Sequence, residues 1–120
     1  MKVFADGVLL ASNNNWMETT DVTIPGDTAV ITIECLELGR QAGIIASGSN
    51  GLVTDSSWKC GTTGTSTSGW KNAFEIGKHG MSPWYTRPRI ARNANWIWNS
   101  RGTWNTGKYQ QVSCQKNLGT

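Results

Sequence analysis

Long apolar runs are missing from this chain of 120 residues, and no segment approaches the ~18 consecutive apolar residues that a membrane span requires. Sustained amphipathic stretches are missing too. The apolar segments are short, and fourteen glycines with many Thr, Ser and Asn interrupt them, so strands joined by turns are expected and helix nearly absent. Histidine occurs once, as His79 between Lys78 and Gly80. With no orienting carboxylate close in sequence it reads as a solvated loop residue and not a general base. The eight acidic residues are scattered. No Cys-x-x-Cys accompanies the lone histidine, which argues against a metal site. Ser56 and Ser57 lack the context of a nucleophile elbow, and no glycine loop suited to phosphates is present. Together these absences point away from an enzyme, with no cofactor and no metal expected. A net charge of +3 is also too mild for a dedicated nucleic-acid binder, so such partners rank low. The opening MKVFADGVLL lacks the continuous apolar core of a signal peptide and reads as a strand, which leaves a cytoplasmic location open.

What is present is a succession of short strands, and the length suits one domain over residues 1–120. Residues 2–11 read as a hairpin about Asp6-Gly7, a pair whose tolerance of positive φ suits a type I′ turn. Asp6 has that turn role before any other. Thr28 to Leu36 alternates, with Ala29, Ile31, Ile33 and Cys35 on one face. Cys35 is thereby placed inward as a small hydrophobe. GIIAS reads as a buried strand, Ala73 to Gly77 as another, and in NWIW the period of two puts Trp96 and Trp98 on one face with Ile97 opposite. Tyr109 to Cys114 closes the series. Eight or nine short strands of this kind predict an all-β fold of two antiparallel sheets packed as a jelly-roll β-sandwich.

Residues 81–98, MSPWYTRPRIARNANWIW, hold three tryptophans, a tyrosine and three arginines. Aromatic faces beside guanidinium groups can grip a polar ring-shaped ligand: the ring covers an apolar sugar face, and the planar donors bond neighbouring hydroxyls. The asparagines of SNNNWMETTD offer paired donors and acceptors, and Trp16 in that loop serves equally as a cap on the core or a wall of a site. Arg40 lies at another loop tip.

The words VFADGVLL, NNW, AVITIECLELGRQAGIIAS, GLVTDSSWKC, GW, GMSPW and ANWIW, closed by YQQVSC, occur in one order along nearly the whole chain. In that order they resemble the small galactose-binding-like jelly-roll modules of extracellular invertebrate and microbial proteins. The resemblance implies a secreted carbohydrate-binding or adhesive module, and a disulfide between Cys60 and Cys114 with Cys35 left free. It also implies that Trp58, Trp70, Trp96 and Trp98 belong to the scaffold. The chain departs from the pattern twice. The acidic segment that usually follows GW is missing, which argues against calcium there, and SPW runs into Tyr85, Thr86, Arg87, Pro88 and Arg89 in place of glycine-containing turns.

These observations lead to a lectin that recognises glycans or glycoconjugates without catalysis, gaining avidity as a homo-oligomer or in tandem copies. Its expected site comprises Asn14, Asn15, Trp16, Arg40, Trp84, Tyr85, Arg87, Arg89 and Trp104, the last in a hairpin tip beside Arg101, Asn105 and Lys108. The alternative is a protein-interaction or adhesion module with no sugar ligand, because Trp, Tyr and Arg also dominate protein interfaces. Base stacking on single-stranded nucleic acid along Arg87, Arg89 and Arg92 ranks third.

Overall fold

A computed structural model describes residues 1–14, 19–37, 43–64, 66–80, 86–100 and 110–118. Asp6 and Gly7 have φ values of 48° and 83°, both left-handed as a type I′ turn demands, and they join β1 (Lys2–Ala5) to β2 (Val8–Ser12). The Asp6 carboxylate also accepts hydrogen bonds from the backbone N–H groups of Ala29 at 3.1 Å and Val30 at 2.9 Å. One residue therefore shapes the first turn and fixes the entry to β3 (Val30–Glu37). Alternation in β3 is as expected, with Ile31 and Ile33 buried and Leu36 exposed.

Six strands form the larger antiparallel sheet, in the order β2-β1-β3-β8-β4-β5, where β4 is Lys59–Thr62, β5 Lys71–Asn72 and β8 Gln110–Asn117. A smaller antiparallel sheet pairs β6 (Phe74–Lys78) with β7 (Asn95–Trp98). Val3, Ile31, Ile33, Cys60, Val112 and Cys114 from the first sheet meet Ile97 and Trp98 of the second in one buried cluster with Trp58. The result is a sandwich-like all-β fold. Among the described residues the one helical element is a short 3-10 turn, Thr67–Gly69.

Two expectations need correction. GIIAS is no continuous strand: Ile44 exchanges hydrogen bonds with Ile97 (2.9 and 2.8 Å), Ser47 bridges Val53, and no longer ladder forms. The physical reason is Thr54, fully buried, whose backbone N–H bonds Ala46 and whose hydroxyl donates to the Asn95 carbonyl at 2.6 Å. A side chain there occupies the role of ladder hydrogen bonds. In β7 the inward and outward faces are not distinct, since Trp96, Ile97 and Trp98 are all buried. Chain segments cover this small sheet on both sides, Ile44 among them.

The pairing of Cys60 with Cys114 is present, between directly opposed positions of β4 and β8 with Cα atoms 4.1 Å apart. Cys35 is free. Trp58 is wholly buried with its indole N–H donating to the Val53 carbonyl at 2.9 Å. Trp70 differs from the other scaffold tryptophans: it is only half-buried, and it lies over the sheet at Gly61. A Cβ added at Gly61 would land on Cδ1, Nε1 and Cγ of Trp70 together, so the face of the indole rests on that glycine.

Candidate functional site

Segment 86–94 is held by backbone groups and not by apolar packing alone. Arg87 donates its backbone N–H to His79 Nε2 at 2.7 Å. An accepting Nε2 carries a lone pair, so the ring proton resides on Nδ1, which faces the Ala91 carbonyl at 3.2 Å. His79 is thus the neutral latch of this segment. The expectation that it is a solvated loop residue is wrong, because both ring nitrogens are engaged and the residue is half-buried. The Ala91 N–H donates to Ser47 Oγ at 2.9 Å, and the His79 N–H donates to the Ala94 carbonyl at 3.0 Å, which completes the anchoring.

Within this frame Pro88 and Arg89 occupy the middle of a turn. Proline presets the first φ, and Arg89 takes a left-handed φ of 65°, the succession of a type II turn usually completed by glycine. Arg89 is held there from outside. Its Nε pairs with Asp21 at 2.7 Å, and Nη2 donates to the Thr19 carbonyl at 3.1 Å. Because Asn13 in turn donates from Nδ2 to Thr20 Oγ1 at 3.1 Å, the described ends of the asparagine-rich loop are drawn to the arginine turn.

Between these groups lies an open hollow of about 350 Å³, lined by His79, residues 86–90 and Arg92. Three guanidinium groups border it. Of the residues expected in a site, the structure brings together Arg87 and Arg89, adds His79 and Arg92, and places Asn14 exposed beside Asn13. Asn15, Trp16, Arg40, Trp84, Tyr85 and Trp104 lie outside the described residues, as do Arg101, Asn105 and Lys108. The part played by His79 had no signal in the sequence, since its partners are an amide and a carbonyl that every residue carries. Arg92 had one: it continues the Arg87, Arg89 series beyond Pro88.

A second hollow of about 270 Å³ lies beside Ser57, Lys59, Gln115 and Lys116. There Lys116 Nζ donates to Ser57 Oγ at 2.7 Å, and that hydroxyl is bonded to the Asp55 carboxylate. A lysine acting as donor cannot take the serine proton, so this cluster is a surface hydrogen-bond chain. Among the described residues, no three of His, Cys, Asp and Glu gather as a metal site would need, and no helix is long and apolar enough to cross a membrane. Set beside known proteins, the chain matches no family model, no curated protein and no solved structure.

Proposed function

We propose that the protein is a lectin, a non-catalytic glycan-binding module of extracellular, jelly-roll type, whose site is centred on the hollow at Arg87 to Arg92. One observation carries the proposal: the segment whose arginines and aromatics single it out in the sequence borders an open, preorganised depression sized for a sugar ring. Planar guanidinium donors from Arg87, Arg89 and Arg92 supply directed hydrogen bonds. Trp84 and Tyr85 precede them directly in the chain and supply the apolar stacking surface. Asn14, Asn15, Trp16, Arg40 and Trp104 belong to neighbouring loops in the same proposal. A single open site of this size binds weakly, so oligomers or tandem copies provide avidity. The cross-strand disulfide suits a secreted protein.

A glycan array on the purified protein, repeated with Arg87→Ala, tests the proposal. Binding by the parent and its loss in the variant are expected. A blank array, or an unchanged variant, rejects the site.

A second reading, an adhesion or protein-interaction module, is favoured by the edge of the larger sheet. Strand β2 forms that edge and exposes Val8 (63%) and Leu9 (51%), and unpaired strand edges with apolar side chains recruit other chains. A stable protein complex lost on Leu9→Lys, with glycan arrays blank, decides for it.

A further inference from the structure

The hollow at Arg87 to Arg92 differs from a neutral-sugar site in the sense of its hydrogen bonding. A sugar hydroxyl both donates and accepts, so a site for neutral sugars needs side-chain acceptors beside its donors, typically Asp, Glu, Asn or Gln. None of these lines this hollow. Its arginines can only donate. His79, the one ring nitrogen with a lone pair, already accepts from the Arg87 backbone. Among lining side chains only the Thr86 hydroxyl is left to accept.

Charge points the same way. Asp21 pairs with Arg89 at the Nε edge and offsets one of the three guanidinium charges, and the lining itself contains no carboxylate. Two positive charges therefore remain for a ligand. The turn that carries them is fixed before any ligand arrives, by His79 on one side and by Thr19 and Asp21 on the other, so little ordering cost falls on binding.

We propose that the hollow takes a glycan bearing an anionic group, a carboxylate or a sulfate, and discriminates against its neutral counterpart. The proposal rests on the sugar-binding function put forward above and names its ligand class. Guanidinium forks match planar carboxylates and sulfur or phosphorus oxyanions through paired charge-assisted hydrogen bonds. Of the three arginines, Arg92 gives the most direct test, because it is exposed and its replacement leaves the His79 latch and the Asp21 pair in place.

The test titrates the full chain with an oligogalacturonate, a sulfated galactose oligomer, the matching neutral galactose oligomer and an oligothymidylate, each at low and at physiological salt. Binding to the carboxylated or the sulfated oligomer is expected, weakening with salt, with the neutral oligomer at least about tenfold weaker. The two anionic arms separate carboxylate from sulfate. Arg92→Gln is expected to weaken binding by about tenfold and Arg92→Lys by less, at an unchanged melting temperature. Lys59→Gln at the second hollow controls for general charge attraction and leaves binding unaltered. Equal binding of neutral and anionic oligomers, indifferent to Arg92→Gln, overturns the anionic ligand while the lectin function stands. A loss on Lys59→Gln matching that on Arg92→Gln overturns the site. Silence in all glycan arms rejects lectin and ligand class together, and preference for the oligothymidylate over every glycan replaces both with nucleic-acid binding.

Discussion

Arg89 carries two opposing contributions that a substitution can separate. Its left-handed backbone costs a non-glycine residue roughly 1–2 kcal/mol, whereas its ion pair with Asp21 is exposed at 56% and 70% and contributes no more than about 1 kcal/mol. Arg89→Gly relieves the first and removes the second, so its stability is expected within about 1 kcal/mol of the parent by urea denaturation, while glycan binding falls. A variant that unfolds much more readily shows that the turn depends on the Asp21 pair after all. His79 behaves differently: His79→Ala leaves the Arg87 N–H and the Ala91 carbonyl without partners and is expected to cost about 1–3 kcal/mol. Imidazole nitrogen NMR on the parent checks the premise, which requires a proton on Nδ1 and none on Nε2. Cys35 supplies a pH test. Burial, reinforced by Glu34 and opposed by the N-terminal charge, raises its pKa from 9.0 to about 11. The folded protein therefore keeps this proton to higher pH than the unfolded chain. The stabilisation is fully present below the thiol's ordinary value and is lost as pH rises through about 11. Alkylation of the folded protein by iodoacetamide is expected to be slow at pH 8 and to accelerate about tenfold per pH unit toward the folded value. Rapid labelling at pH 8 contradicts the buried environment.

At the scale of elements, the contact of Trp70 with β4 shows how a low-complexity loop acquires a defined place. The stretch after Cys60 reads as glycine, threonine and serine without pattern, yet Gly61 is where the indole face rests and Thr63 Oγ1 meets Ser113 Oγ at 2.7 Å. Gly61→Ala is expected to cost about 1–3 kcal/mol, since its methyl group meets a ring held by its neighbours. In a Trp70→Ala background the same change is expected to cost far less, and an unchanged penalty excludes the indole as the obstacle. Strands whose two faces differ were legible from the sequence: β3 alternates, and Asp6-Gly7 announces the hairpin before it. The GIIAS segment and β7 were less so. Period-two patterns report which side chains share a face, but not whether a second layer covers the other face, and they cannot see a buried Thr54 hydroxyl bonding a carbonyl distant in sequence. The candidate site divides in the same way. Its arginines are visible as residue types, whereas the links that assemble them run through backbone amides and carbonyls that carry no sequence signature.

For the molecule as a whole, the disulfide acts within one sheet. Cys60 and Cys114 sit opposite each other on β4 and β8, strands already joined by ladder pairing, so the bond adds little that the native structure lacks. Its main effect falls on the unfolded chain, where tying residues 54 positions apart removes loop entropy equivalent to about 4 kcal/mol in the chain-entropy treatment. Replacing both cysteines by alanine is therefore expected to preserve the sheet order and the circular dichroism spectrum while lowering the urea midpoint. Because the uncrosslinked chain expands further on unfolding, the slope of the urea transition is expected to rise at the same time. The two signatures distinguish this mechanism from loss of packing at two buried positions, which lowers the midpoint and leaves the slope alone. If the double variant loses its β-sheet signal in water, the bond is instead holding β4 against β8, and the larger sheet depends on it for its native arrangement.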